Sequence, residues 1–428
     1  MLNRLSIHVI GPRYGESIVL ALPDGGVGVI DSFASGMHGN HPVVTFLKTR
    51  YPQLTELRFF AVTHPHADHC MRVAEILEAF APKEVWIYRP FPLSLAQDYY
   101  KALADLNSGD EVEKAIGLPV GSVALSLLQF ERKVRKPIKS GILPYRPFAT
   151  GRIVELCGGA VKVHFLTPGE QHQYLYADQI KNALKAITKD GKAVGDLKRL
   201  TVPDHNLASA GVLVEYGKSR ALLMSDAEES LWEEWLKSSP ATNAWKPVQF
   251  LKAAHHGSGN GHHSRLYAEI ADPAVTVAVV TPFNHGDVCL PSKEGILAIR
   301  PCVKSVYCTN RESAKASTSL KWGTISSRPL PSVPSDWVNN HIRRDPLLAK
   351  LLVEGLGVKA PVDGQVPPIP RQWVLDAKAN PALWHLIGSE HRKPIPGLIP
   401  AEDHMISAIL DDSGSFTLEA GYETGRLT

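Results

Sequence analysis

Long apolar runs are missing from this sequence. Nowhere do 18 consecutive apolar residues occur, and residues 1–11 hold neither an extended apolar stretch nor a small-residue cleavage site. That excludes a predicted membrane-spanning helix and a secretory leader, so the expectation is a soluble, cytoplasmic chain with no membrane partner. Cysteine is scarce: Cys70, Cys157, Cys289, Cys302 and Cys308 are odd in number, widely spaced and without a C-x-x-C pair. A disulfide framework and a structural zinc knuckle are excluded, and a reducing compartment is the simplest home. Excess charge of one sign is lacking too. A net charge of +3 does not by itself announce a nucleic-acid binder. No internal repeat is found.

What is present is enough apolar material for a substantial core. A chain of 428 residues with 44% hydrophobic content allows two or three domains at roughly 150 residues each. Short strands are predicted over Leu5 to Ile10, Ser17 to Leu22 and Val27 to Ile30, and a helix over Pro42 to Lys48. With strands at Leu57 to Val62 and Val85 to Tyr88, this is the rhythm of an α/β sheet covered by helices.

The densest chemistry lies between the strand ending at Val62 and a helix beginning near Cys70, in Thr63-His64-Pro65-His66-Ala67-Asp68-His69. Three imidazoles and a carboxylate crowded into one turn repel and desolvate one another unless a cation holds them. Neutral imidazole nitrogens suit Zn, Fe, Ni or Mn, a carboxylate adds charge compensation, and such a run can divide its ligands between two adjacent ions. The bland alternative is a solvated polar loop.

Further along, metal-type residues recur where predicted strands stop. Asp31 follows Val27 to Ile30 and reads equally as a turn or cap residue. His205-Asn206 precedes a hairpin of Gly211 to Tyr216 and Ala221 to Met224, which ends in Ser225-Asp226-Ala227-Glu228. Here Asp226 alone would pass for the N-cap of a helix over Glu229 to Lys237. The strand Val248 to Ala254 runs into His255-His256-Gly257-Ser258, and Val275 to Val280 leads to Asn284-His285. Loops at strand carboxyl ends are where open sheets place their sites, so this set is expected to converge in one cleft.

Two stretches look like insertions: a helical block at about 90–148 with Arg132, Lys133, Arg135, Lys136 and Lys139, and a polar helical stretch at about 171–200 with Lys181, Lys185, Lys189, Lys192, Lys198 and Arg199. Each basic run reads as a solvated face on its own. Flanking a metal site together, they suit a phosphate-bearing substrate. From 328 to 428 the sequence holds 12 of its 32 prolines and no dense His/Asp motif, and it reads as a small, irregular appendage.

In combination, strand-end Asp31, the H-x-H-x-D-H run, Asn206-Leu-Ala-Ser, Ser225-Asp-Ala-Glu228 and Leu251-Lys-Ala-Ala-His-His-Gly-Ser258 resemble the metallo-β-lactamase superfamily. In particular they resemble the metallo-β-lactamase domain of the DNA-uptake competence protein ComEC and its stand-alone relatives, with Gly15-Glu16-Ser17 in place of that family's G-x-G-D-S turn. The resemblance spans about residues 5 to 310. It implies an αββα sandwich over 1–327, carrying the helical insertions, followed by the appendage.

The resemblance further implies two divalent ions, Zn or Mn. His64 and His66 would serve one, Asp68 and His69 the other, with Asp226 bridging and Asp31 bracing the loop. His255 is favoured over His256 to complete the second ion because it is nearer the strand end; adjacency leaves that choice open. His205 is the candidate for a third imidazole on the first ion. The family's late N-x-x-x-x-H-P pattern is altered here, with His285 the candidate substitute, and the membrane channel is absent.

The expected function is that of a two-metal nuclease or phosphodiesterase acting on DNA or another phosphodiester. Asp68 or Asp226 would orient the attacking water, and His256 or His285 would protonate the leaving oxygen. Lys252, Ser258, His262 and His263 would contact phosphate, although the last two read more readily as a solvent-exposed pair in a Gly-rich loop, and Asn206 and Asn284 would lie at the margin. The alternatives are a hydrolase of a small ester, thioester, lactam or nucleotide, and a non-catalytic metal-binding subunit whose C-terminal extension meets a protein partner.

Overall fold

The computed structural model describes residues 4–310 except 13, 34–39, 89–94, 96–97, 100, 103–126, 128–129, 131–132, 135–136, 190–202, 239–244 and 286–287, together with 315–317, 392–394, 398–400 and 405–420. The chain divides into one unit of 1–316 with 394–428 and another of 317–393. Everything below concerns the first, except that two short strands run across its boundaries at 316/317 and 393/394.

Its strands begin with β1 (Leu5–Ile10), β2 (Ser17–Ala21), β3 (Val27–Ile30), β4 (Glu56–Leu57), β5 (Phe59–Val62), β6 (Ala81–Pro82), β7 (Val85–Ile87) and β8 (Tyr145–Pro147). Next come β9 (Ile153–Leu156), β10 (Val161–Phe165), β11 (Val212–Tyr216), β12 (Ser219–Leu223), β13 (Phe250–Lys252), β14 (Val277–Val280), β15 (Phe283–His285), β16 (Val288–Leu290) and β17 (Ser305–Cys308). After β18 (Lys315–Ser317) and β19 (Arg392–Pro394), the last are β20 (Leu398–Pro400), β21 (Met405–Leu410) and β22 (Phe416–Ala420). The helices used here are α1 (Pro42–Arg50), α2 (Ala67–Cys70), α3 (Val73–Ala79), α4 (Glu170–Lys189), α5 (Glu229–Ser238), α6 (Ser264–Ile270) and α7 (Lys293–Ile299).

Two eight-stranded sheets result, ordered β22-β21-β1-β2-β3-β5-β7-β8 and β20-β17-β14-β13-β12-β11-β10-β9. Period-two alternation sorts their side chains into layers. In β5, Phe59 and Ala61 point into the core between the sheets, while Phe60 and Val62 point to the helix side with α1 and α3. In β11, Val212 and Val214 join the inter-sheet core and Leu213 the outer one, where α5, α6 and α7 pack through Leu231, Trp232, Leu266, Tyr267 and Ile296. Helix, sheet, sheet, helix is the αββα sandwich.

The sheets are parallel where the site lies. β3, β5 and β7 run parallel in one, and β12, β13, β14 and β17 in the other. Their carboxyl ends therefore open on one edge.

Two expectations need correction. The C-terminal stretch is not all appendage: β21 pairs antiparallel with β1 in full register, Leu5 opposite Leu410 through Ile10 opposite Met405, and β22 pairs with β21. Ile406 and Leu410 are fully buried in the inter-sheet core. Burial on that scale contributes about 3 to 6 kcal/mol for the pair, which makes these strands part of the fold. The block at 90–148 likewise ends in a strand of the first sheet, since β8 pairs parallel with β7 at that sheet's edge. The helices expected within this block lie largely outside the described residues, although Tyr99, Leu127, Phe130 and Val134 are buried on the helix side of the first sheet, with α1 and α3. Among the described residues no helix is long and apolar enough to cross a membrane.

Candidate metal centre

At the open edge the strand-end residues meet. Asp31 follows β3, Thr63 to His69 follow β5, Ser225-Asp226 follows β12, His255-His256 follows β13 and Thr281 follows β14. Holding them together requires backbone that L-residues avoid. Asp31, Ser225, His255 and His256 have φ of 61°, 46°, 46° and 54°. Each such residue costs about 1 to 2 kcal/mol, a strain typical of sites that the surrounding fold over-determines. Gly15, at φ 83°, lets the turn before β2 press on the metal loop, because a Cβ there would stand 2.4 Å from the Asp68 carbonyl oxygen.

Three groups of potential donors emerge, one of them Glu16, Asp31 and His69, gathered around His69 Nδ1; the remaining two both use Asp226. One is Asp68, His69, Asp226 and His256, all buried; the other is His64, His66 and Asp226. In the first, His256 Nε2 lies 2.9 Å from Asp68 Oδ2 and 3.5 Å from Asp226 Oδ2, and His69 Nε2 lies 3.3 Å from Asp226 Oδ1. In the second, His64 Nε2 is 3.1 Å from His66 Nδ1, close to the ~3.3 Å edge of a tetrahedral ion with bonds of about 2.05 Å.

Supporting hydrogen bonds fix which nitrogens face inward. Asp31 accepts from the Thr63 amide at 2.7 Å, the Thr63 hydroxyl at 2.7 Å and His69 Nδ1 at 2.8 Å. Because the Thr63 hydroxyl proton goes to Asp31, its oxygen accepts from Ser225 Oγ at 2.8 Å and from His64 Nδ1 at 3.1 Å. That leaves His64 Nε2 as a bare lone pair. His256 Nδ1 donates to the Thr281 carbonyl oxygen at 3.1 Å, so its Nε2 also faces the centre. Imidazole ligands are commonly oriented in this way.

The donors fit divalent cations. His69 Nε2 and Asp226 Oδ1 are buried without a hydrogen-bond partner, and the carboxylates have no arginine among the groups that shift them. Burial alone would raise Asp226 and Asp68, yet nearby imidazoles hold Asp226 well below the usual carboxylate range and Asp68 at about 2. Conversely, burial would lower His69 and His256, yet Asp226 and Asp68 hold His69 well above the usual range and His256 at about 9. A buried negative excess of this kind is what a metal ion neutralises. Burial, reinforced by neighbouring imidazoles, keeps His64 well below the usual range, neutral and ready to ligate.

Several residues stand elsewhere than the sequence suggested. His256, not His255, belongs to the donor group, because the two left-handed residues turn the chain over after β13; His255 Nδ1 instead lies 3.4 Å from Glu228 Oε1. With both nitrogens engaged, His256 is also unsuited to protonating a leaving group. Lys252 does not meet substrate: it is fully buried, paired with Glu16 at 2.5 Å. Ser258 is bonded to Asn260 and accepts from the Gly261 amide. His263 caps α6 and pairs with Glu233, and the His262 ring lies 4.6 Å from that of Tyr267, so these two are not a free solvent-facing pair.

His205 lies beside the second group, its ring 5.3 Å from that of His66 and its Nδ1 2.8 Å from the Tyr176 hydroxyl. Asn206 donates to Glu228 at 2.8 Å. Asn284 and His285 lie in the β15–β16 hairpin, and the His285 side chain is outside the described residues. Glu16, Thr63, Ser225, Thr281 and Tyr176 went unassigned in the sequence reading, although the Gly15-Glu16-Ser17 turn was a signal for the first.

The metallo-beta-lactamase superfamily profile matches residues 10–278. Among solved structures, the metallo-beta-lactamase fold protein YhfI from Bacillus subtilis is 8% identical, covers 71% of this chain and 95% of its own, and has a TM-score of 0.35. Zn-bound PqqB from Methylobacterium extorquens is 8% identical over 58% of this chain and 71% of its own, at 0.28. A mutant of CmlA beta-hydroxylase is 13% identical over 71% of this chain, at 0.32, and the chain spans 45% of that protein. At those scores the structural likenesses carry no weight, and no curated protein matches. The profile match, over well more than half of the length, is what shows that this chain belongs to the metallo-β-lactamase superfamily, whose members are generally metal-dependent hydrolases.

Proposed function

We infer that this chain is a two-metal phosphodiesterase, a ComEC-like nuclease acting on DNA or another phosphodiester. The observation that carries the reading is that Asp226 is common to two donor groups, one fully buried and the other buried except for a half-buried His66. Charge supports the number of ions: Glu16, Asp31, Asp68 and Asp226 are buried with Lys252 as their lysine partner. Two divalent cations cover the three excess negative charges, whereas one leaves the site anionic. The imidazole-rich group suits Zn and the carboxylate-rich group suits Mn.

Divalent ions held there supply Lewis-acid polarisation of a phosphoryl oxygen and a water of pKa lowered toward about 7. The chain's own part is orientation. Asp68 and Asp226 accept hydrogen bonds from the attacking water, and His285 is the remaining candidate to protonate the leaving oxygen. Attraction of phosphate rests on exposed lysines, Lys181 and Lys185 on α4 and Lys133, which is paired with Glu78; most of the other expected basic residues lie outside the described set. Hydrolysis of a smaller ester, lactam or nucleotide is the second reading. It is favoured by a run of rings reaching the centre, Phe33, Tyr14 and Phe283, with Phe283 5.4 Å from His256.

The test is metal content measured with cleavage of linear and circular DNA, RNA and bis-p-nitrophenyl phosphate, in Mn and in Zn. About two ions per chain with cleavage lost in Asp68→Ala and Asp226→Ala is expected. Metal binding without cleavage of any of these substrates sinks the phosphodiesterase reading.

A further inference from the structure

Below the Asp68–His69–Asp226–His256 group lies an ion pair that supplies none of its donors. Glu16, at the start of the turn into β2, is 1% exposed, and Lys252, at the end of β13, is 0% exposed. Their charged atoms are 2.5 Å apart. A buried pair of this kind adds little net stability over apolar residues of equal size, so its presence calls for another reason.

The contacts supply one, because each reaches a member of the donor group. The Glu16 amide donates to the Asp68 carbonyl oxygen at 3.0 Å. The Glu16 carboxylate accepts from the Thr281 hydroxyl, and Thr281 in turn takes the His256 Nδ1 proton on its carbonyl oxygen. Lys252 Nζ donates at 3.3 Å to the carbonyl oxygen of Ser225, the residue before Asp226, itself held at a φ of 46°. Glu16 Oε1 is buried without a hydrogen bond and lies 3.9 Å from His69 Nδ1. Glu16 and Asp68 belong to one sheet's loops, Lys252, Asp226 and His256 to the other's. The pair thus crosses the sandwich at the point where ligands from both sheets must meet. Among the described contacts the pair reaches the His64–His66 group only by way of Ser225, which precedes the shared Asp226; that group's other support is Thr63, while Tyr176 is bonded to the neighbouring His205.

We propose that Glu16 and Lys252 are positioning residues that join the two sheets beneath the aspartate-rich group and determine whether that group retains its ion. The proposal rests on the two-ion reading above.

Its test compares wild type with Glu16→Gln/Lys252→Met, which removes both charges at similar volume and leaves neither unpaired. Metal-free protein is titrated with Zn in competition with a chromophoric chelator, and the Mn-loaded forms are compared by electron paramagnetic resonance, with folding checked by circular dichroism. Wild type is expected to bind two ions and give a spin-coupled Mn pair. The double variant should bind one ion with unchanged affinity and the other ten- to a hundredfold more weakly, giving an isolated Mn signal. Should it fail to fold, Thr281→Val decides, since it keeps the ion pair and cuts the hydroxyl link from Glu16 to His256; about tenfold weaker binding of one ion is expected. A folded variant that binds both ions as wild type does overturns the proposal, as does equal weakening of both. Wild type that binds a single ion overturns the two-ion reading and this proposal with it.

Discussion

In the Asp68–His69–Asp226–His256 group each imidazole faces a carboxylate within 3.5 Å, whereas in the His64–His66 group Asp226 Oδ2 lies 3.9 Å from His64 Nε2. The environments pull the histidines in opposite directions. His69 and His256 are held above the usual imidazole range by aspartates that outweigh burial; His64, His66 and His205 are held below it by burial first and by neighbouring imidazoles in His64 and His205. One half of the centre attracts cations by charge, and the other offers neutral lone pairs. The difference teaches that the halves should fail separately, except through the aspartate they share.

Asp226→Ala tests that exception and has the largest expected effect. It should weaken both ions by more than ~100-fold, beyond what loss of an outer hydrogen-bond partner costs, and abolish activity. Retention of one ion at wild-type affinity would break the comparison. Next in size is His256→Ala, expected to lose the ion of the aspartate-rich group alone, while His255→Ala keeps both. If the two variants exchange these outcomes, the left-handed turn at 255–256 has been misplaced. Smaller again is Tyr176→Phe, which frees His205 Nδ1 and should weaken binding to the His64–His66 group about tenfold, leaving the other unchanged. No change would show that His205 takes no part in that group.

What was legible in the sequence follows from the range of the interactions involved. The run from His64 to His69 carries its ligands in one turn, so spacing alone announced it. The order of strands and Asp-bearing loops then located Asp226. Burial could not be read: Lys252 looks like a phosphate contact until β13 is seen to lie inside the second sheet, with β12 and β14 on either side. Nor could handedness be read at His255-His256, where left-handed φ at non-glycine residues exchanges the two rings. The apolar pattern of Met405 to Leu410 was overshadowed by surrounding prolines, because its pairing with β1 spans almost the entire chain. Pairings that distant leave no local signature.

His8 sharpens the same contrast away from the centre, as a buried imidazole with no carboxylate among the causes of its shift. In β1 its ring contacts Phe46, Nδ1 is 2.8 Å from Ser407 Oγ of β21 and Nε2 is 3.0 Å from the Tyr51 hydroxyl. Burial, with a smaller push from the Arg50 charge, lowers it from 6.5 to about 3. Because the folded value is the lower one, the unfolded chain binds the extra proton between those limits. Its contribution to stability is therefore complete above pH 6.5 and declines as pH falls toward 3, by about 1.4 kcal/mol per unit. In chelator, to keep the metal centre empty in both proteins, wild type should lose about 2 kcal/mol more than His8→Gln between pH 6.5 and 5, read from urea unfolding. Equal losses would mean that His8 is solvated when folded. The antiparallel pairing of β21 on β1 would then open readily, in place of the closed core edge formed by Ile406 and Leu410.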